Sequence, residues 1–344
     1  MASKRKRQTE DVYPLPEPLR LAWHKGQWER LHSDISRLPH ALLLQGQAGL
    51  GKQGFAVRLA HSLLCGAINQ TEACGTCKNC LLLAAGTHPD LNYLRPSEPG
   101  KAIVVDQVRE LADFLYKKPH LAKMKVIVID PADAMNTHAA NSLLKMLEEP
   151  PLGNLLLLVS SRPESLPVTI RSRCLAINFS IPPANEALTW LHHEGLDVAT
   201  AEQALSYAHG APLTAKQLVA GKFLDQPVEL LRDIAILAAG HRLDITAVAA
   251  KWKKAGSSQS LQWLQGFAQD MIRRQSGVEP DIRPTDGKAE QWLQDMAKRL
   301  NLNELFRFLD SVSEAGRLTD SVLDEQLLIE GVLTQWKDLA TGRH

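Results

Sequence analysis

The stretch that most restricts the fold is residues 45–53, which read Gln-Gly-Gln-Ala-Gly-Leu-Gly-Lys-Gln. Gly46, Gly51 and Lys52 match the phosphate-loop pattern G-x-x-x-x-G-K-[ST]. The apolar run 41–44 precedes the loop and reads as a buried strand. A helical pattern from Gly51 to about Cys65 follows it. Strand, glycine loop and helix in that order point to an α/β architecture. The loop N–H groups would face phosphate oxygens, and the lysine would add a positive charge. One position departs from the pattern. Where a Ser or Thr hydroxyl would hold Mg²⁺, the chain has Gln53.

Further apolar runs at 91–94, 126–129, 155–159 and 175–179 alternate with helical patterns at 105–115 and 137–148. Trp23, Trp28, Leu31 and Ile35 recur at helical spacing ahead of the loop and read as a core-facing stripe. Such alternation predicts a parallel sheet covered on both faces. Pro150-Pro151 stops one helix, and Pro182-Pro183 marks the end of the α/β part. Beyond it only helices are predicted. They fall at 185–195, 200–209 and 213–221 in a small block. A second region follows with helices at 228–239, 245–254, 260–274, 289–300, 304–315 and 323–339. A polar loop is expected over 277–287. The domain expectation is a tail at 1–20, a P-loop-type domain at 21–180 and helical parts at 181–222 and 223–344.

Cys65-x₈-Cys74-x₂-Cys77-x₂-Cys80 is the sharpest metal signal. Four thiolates at short spacings suit a closed tetrahedral Zn²⁺ site with no open position for catalysis. Gly75 permits the tight turn, and Lys78 offsets thiolate charge. A redox Cys-x-x-Cys pair is the competing function, but no thioredoxin-like pattern surrounds it. Cys174 stands apart, and His88, in Gly-Thr-His-Pro-Asp, reads as structural.

The net charge is only +1, from 39 basic and 38 acidic residues, so no global field favours a free-standing DNA binder. No apolar run approaches a membrane span, and the basic start Lys4-Arg5-Lys6-Arg7 lacks the apolar segment of a signal peptide. A cytoplasmic protein with a solvated basic tail is expected.

Several further stretches together carry a resemblance. They are Leu38-Pro-His-Ala41, the four-cysteine insert, Gly86-Thr-His-Pro-Asp90, Val105-Asp-Gln-Val-Arg-Glu110, Ala140-Asn-Ser-Leu-Leu-Lys-Met-Leu-Glu-Glu-Pro150 and Ser172-Arg-Cys174. The chain resembles the bacterial clamp-loader AAA+ subunits of DNA polymerase III, densely over about 15–180 and more weakly beyond. The resemblance implies an AAA+ domain, a lid at 181–222 and a collar at 223–344. Asp130, at the end of a strand, takes the place of the Walker B aspartate. Pro131 follows it, where an ATP-hydrolysing member has a glutamate that positions water. Leu213 stands where active members carry an arginine that touches their own nucleotide. Ser160 and Ser161 replace a threonine-type sensor.

This pattern fits the family's non-hydrolysing subunit type rather than the gamma/tau type. Gly46, Gly51 and Lys52 would then be an inherited turn, with ATP binding by this chain not expected to support turnover. Arg173 would act in trans, reaching ATP on a neighbouring subunit, with Arg171 as the competing candidate. The implied partners are gamma/tau and delta subunits, the sliding clamp and primed DNA, with nucleoid association through the replisome. Arg109 and Lys145 would meet DNA phosphates, or else pair locally with Glu110 and Glu148. The alternatives are a gamma-type ATPase with an atypical loop and, further off, a zinc-dependent DNA-binding protein.

Overall fold

The computed structural model describes residues 16–33, 35–67, 71–98, 100–240, 243–278, 287–319 and 324–342. The basic stretch at 4–7 and most of the expected loop at 277–287 lie outside them. Two compact units divide the chain: Met1–Gly46 with Gly51–Phe179, and Gln47–Leu50 with Ser180–His344.

The first unit contains, in order, α1 (Lys25–His32), β1 (Ala41–Gln45), α2 (Lys52–Leu64), α3 (Lys78–Ala84), β2 (Leu91–Leu94) and α4 (Val105–Leu115). It continues with β3 (Lys125–Ile129), α5 (Thr137–Glu148), β4 (Asn154–Ser160), α6 (Val168–Arg171) and β5 (Leu175–Asn178). The five strands lie in the order β2-β3-β4-β1-β5, and every pairing is parallel. β3 and β4 are buried at every residue, which is why 126–129 and 155–159 run continuously apolar rather than alternating, with polar residues only at the strand ends. Ala41, Leu43, Ile127, Ile129, Leu156 and Leu158 share one core with Leu111 of α4 and Leu143 and Met146 of α5. The alternate residues, Leu42, Leu44, Val126, Val128 and Leu157, turn to the other face, and α2 packs against β1, β3 and β4. This is the α/β P-loop arrangement expected of an AAA+ domain.

Helix ends follow local chemistry. Asn136 caps α5 by accepting a bond from Ala139 N at 2.8 Å, and Pro150-Pro151 prevents continuation. The stripe expected from Trp23 to Ile35 is only half realised. Trp28 and Leu31 are buried in α1, but Ile35 sits in a separate 3₁₀ turn and is exposed.

The second unit is helical, with no strand among its described residues. It holds α7 (Ala184–His193), α8 (Val198–Tyr207), α9 (Pro212–Ala220), α10 (Asp225–Ala238), α11 (Ile245–Gln275), α12 (Gly287–Arg299), α13 (Leu302–Leu318) and α14 (Glu325–Thr341). The two helices expected at 245–254 and 260–274 are both present within α11, divided at Gly256, whose backbone is not helical (φ 114°, ψ 105°). Past the bend, Ser260 Oγ donates to Trp252 O at 3.3 Å, joining the two segments. Among the described residues, one apolar cluster runs through this unit and includes Leu191, Leu205, Leu218, Trp252, Phe308 and Trp336. The indole of Trp336 donates to Ile234 O at 2.9 Å, and that of Trp252 to Asp233 Oδ2 at 3.1 Å. Among the described residues, no helix is long and apolar enough to cross a membrane.

Candidate functional site

Because the strands are parallel, their C-terminal ends share one edge. Gln45 pairs in register with Ser160 and with Asn178, while Ile129 pairs with Leu158 and Leu94. The glycine loop leaves β1 at this edge, and Asp130 leaves β3 there. In open α/β sheets, this edge is where ligands bind.

The loop glycines are required by this chain's own packing. Gly46 has φ 148°, and a Cβ there would stand 2.2 Å from Phe179 O. Gly51 caps α2 in the left-handed region at φ 89°, where a Cβ would meet Leu21 Cδ1 at 2.5 Å. The loop's middle residues group with the helical unit. There, Leu213 N donates to Gly49 O at 3.1 Å, so it is the backbone of Leu213 that meets the loop.

Lys52 is buried at 4% exposure. Its ammonium donates to Gly46 O at 2.6 Å and to Ser161 Oγ at 3.0 Å, so it is folded onto its own loop and onto the end of β4. Burial lowers its pKa to about 8, against the pull of Asp133 and Asp130.

Asp130 is held by the protein on both oxygens. Gln53 Nε2 donates to Oδ1 at 3.2 Å, and the Tyr93 hydroxyl donates to Oδ2. A hydroxyl at position 53 would present an oxygen to a metal; the glutamine presents N–H to the carboxylate. Burial pushes the Asp130 pKa up, while the bonds from Tyr93 and Gln53 and the charge of Lys52 pull it down. Asp133, in the 3₁₀ turn Ala132–Ala134, accepts from Ser161 N at 3.1 Å and from Arg162 Nε at 3.3 Å. It ties the segment after β3 to the segment after β4. Neither Tyr93 nor Asp133 was singled out from sequence. Tyr93 lies inside β2 and Asp133 in the turn after β3, so neither stands at a motif position.

The sulfurs of Cys65, Cys74, Cys77 and Cys80 all lie within 4.8 Å of one another. Individual separations are 3.6 Å for Cys65–Cys80, 3.8 Å for Cys74–Cys80 and 4.0 Å for Cys65–Cys77. A tetrahedron with metal–sulfur bonds of about 2.3 Å has edges of about 3.8 Å, so the donor set fits such an ion. Backbone N–H groups also point at the sulfurs: Gly66 to Cys77, Cys74 to Cys65 and Cys77 to Cys74, each at 3.4 Å. Bonds from Thr76 and Cys77 lower the Cys74 pKa to about 6, whereas burial pushes Cys80 up to about 12. A bound cation would favour the thiolate at every position. The insert is fastened to α2 by Asn79 Nδ2, which donates to Leu64 O at 2.8 Å, and by Glu72, which takes a two-pronged contact from Arg58.

Arg173 lies just after α6. Its guanidinium pairs with Glu148 Oε1 at 2.8 Å and donates to Thr169 O at 3.1 Å and Ser172 Oγ at 3.4 Å. Arg109 pairs with Asp106 at 3.0 Å rather than with Glu110. The local partner weighed for Lys145, Glu148, is taken by Arg173. Both basic residues are exposed, on α4 and α5, which pack together. His88 is buried, and its Nδ1 accepts from Asp90 N at 3.1 Å. Asp90 in turn accepts from the backbone N–H groups of His120, Leu121 and Ala122 at 2.6–2.8 Å. The expected structural role of this stretch therefore falls chiefly to Asp90.

The family model for the DNA polymerase III delta subunit matches residues 23–183, and the model for its C-terminal part matches residues 222–338. DNA polymerase III subunit delta' of Pseudomonas aeruginosa is 34% identical over 96% of this chain and 98% of that protein. The chain belongs to the DNA polymerase III delta-prime family. The Escherichia coli delta-prime subunit is 30% identical over 90% of this chain and 93% of its own length. A Haemophilus influenzae tau/gamma subunit is 39% identical, but over only 41% of this chain and 20% of that protein. Likeness to delta-prime thus extends through the helical half, where the sequence resemblance rested mainly on helical content.

Proposed function

We propose that this chain is the non-hydrolysing delta-prime subunit of a DNA polymerase III clamp loader. In this role it supplies Arg173 in trans to ATP on a neighbouring gamma/tau subunit. The observation that carries this is the state of Asp130. The carboxylate that would share Mg²⁺ accepts from Gln53 and Tyr93. Lys52, which would reach the phosphates, donates to Gly46 O and Ser161. Pro131 stands where a water-positioning glutamate would be. Metal and water placement supply most of phosphoryl-transfer catalysis, and these residues supply neither.

The chain's contribution is then architectural and electrostatic. Gamma/tau and delta are its partners, with the clamp and primed DNA engaged by the assembled complex. Residues 181–222 serve as the lid and 223–344 as the collar. Arg109 and Lys145, exposed on α4 and α5, would meet DNA phosphates. Cys65, Cys74, Cys77 and Cys80 would hold a structural Zn²⁺, which would staple the insert and leave no open coordination position.

Two measurements test the proposal. The isolated chain should release no phosphate from Mg·ATP above background. Turnover abolished by Lys52→Ala would instead favour a gamma-type ATPase. In a complex reconstituted with gamma/tau and delta, Arg173→Ala should leave assembly intact. Turnover at the one site it serves should fall by about 10³-fold, and clamp loading should fall with it. Full loading by that variant would overturn the trans role, and the same defect from Arg171→Ala alone would move it to Arg171.

A further inference from the structure

We infer that Glu148 is the positioning residue for Arg173, an inference that rests on the trans role proposed above. The guanidinium is gripped from two elements. Glu148 closes α5 and takes Nη2 at 2.8 Å, while Thr169 of α6 offers its carbonyl to Nη1 at 3.1 Å and Ser172 Oγ adds a contact at 3.4 Å. A guanidinium has five N–H donors in one rigid plane. Nη1 donates both hydrogen bonds, Nη2 stands in ion-pair contact with Glu148, and the side chain is 37% exposed, so the fork keeps donors for an incoming acceptor. The arrangement fixes the plane of the fork while keeping part of it open to solvent.

An arginine free on the surface loses much rotamer freedom when it docks on a phosphate. Holding it beforehand removes part of that cost, and preorganised charge is where electrostatic catalysis gains most. The partner is also suited to letting go. Glu148 is 49% exposed, and exposed ion pairs contribute little to fold stability. A polyphosphate carrying more charge than a carboxylate can therefore draw the fork over without unfolding anything. Glu148 is a carboxylate one helical turn beyond Lys145 on α5, yet its structural partner is Arg173, across the chain. That choice argues against a role as a mere helix-surface charge.

The test uses the reconstituted complex with Glu148→Ala, Glu148→Gln, Arg173→Ala and the Glu148→Ala/Arg173→Ala double variant. Glu148→Ala should lower kcat at the served site by on the order of 10- to 100-fold, with KM for ATP and the melting temperature unchanged. Glu148→Gln keeps an oxygen acceptor and should recover part of the rate. The double variant should be no slower than Arg173→Ala alone. Wild-type rates in Glu148→Ala beside an impaired Arg173→Ala overturn the inference, as do defects that multiply in the double variant. A fully active Arg173→Ala is a different failure: it removes the trans role itself, and with it any need for a positioning partner.

Discussion

At residue scale, Asp130 is the group on which the loop's meaning turns. Tyr93→Phe removes one donor to its carboxylate with little change in shape. The loss should cost about 1–3 kcal/mol at neutral pH, the usual size for stranding a buried acceptor. The pH dependence has a definite sign. Burial raises the folded-state pKa of Asp130, so ionising it costs stability. That cost is absent below the ordinary carboxylate range, where folded and unfolded chains are both protonated, and complete above the raised pKa. Without the Tyr93 bond the pKa rises further. The deficit of Tyr93→Phe should therefore be largest at neutral pH and shrink as pH falls through the Asp130 range. Denaturant titrations of both proteins in neutral and mildly acid buffer would show this, and a pH-independent deficit would exclude it. Gln53→Thr restores the loop motif but should not restore turnover in a phosphate-release assay, because Pro131 remains and Lys52 keeps its bonds. Gln53 was legible in the sequence as a departure from a pattern. Its bond to Asp130, 77 residues away, was not, since a motif fixes spacing along the chain and not partners across it.

At the scale of elements, the four-cysteine insert is read as the C-terminal clamp of α2. Cys65 is the C-cap of that helix, and Arg58 within it reaches Glu72 while its guanidinium lies 3.6 Å from the Trp28 ring centre. Metal analysis should find about one Zn²⁺ per chain. Chelation or Cys77→Ser should remove it, lower the melting temperature and shift the emission of Trp28 as the Arg58 contact loosens. A metal-free protein with unchanged stability and emission would remove the clamp. Spacing predicted this cluster because its ligands are close in sequence. The strands β1, β3 and β4 were legible to within a residue or so for a related reason: a strand buried on both faces writes an unbroken apolar run. The division within α11 was legible as two separate helical patterns, at 245–254 and 260–274. What spacing could not show is that Trp252 and Leu261, on either side of Gly256, enter one core.

At the scale of the whole molecule, the two units have different anchors. The α/β unit holds its own apolar core around β3 and β4, and the four-cysteine cluster belongs to it. Among its described residues, the helical unit has a core that takes in residues of α7, α8 and α9 together with those of α10 to α14. The lid and collar boundary expected near residue 222 came from the grouping of the predicted helices and from the family resemblance. A shared core cannot be read that way, because it depends on which helices meet. Trp336 is central to it, fully buried and bonded to Ile234 O. Trp336→Ala should cost about 3–5 kcal/mol, and the loss should reach every helix that shares the core. Amide exchange should accelerate in α8 and α9 as well as in α10 and α14, while β1, β3 and β4 keep their protection. Chelating the metal should do the reverse, loosening α2 and sparing Trp336. Units with separate cores respond separately to such changes. If Trp336→Ala leaves α8 and α9 as protected as before, the small helical block is stable without the rest. If β3 and β4 loosen with it, the units do not unfold independently.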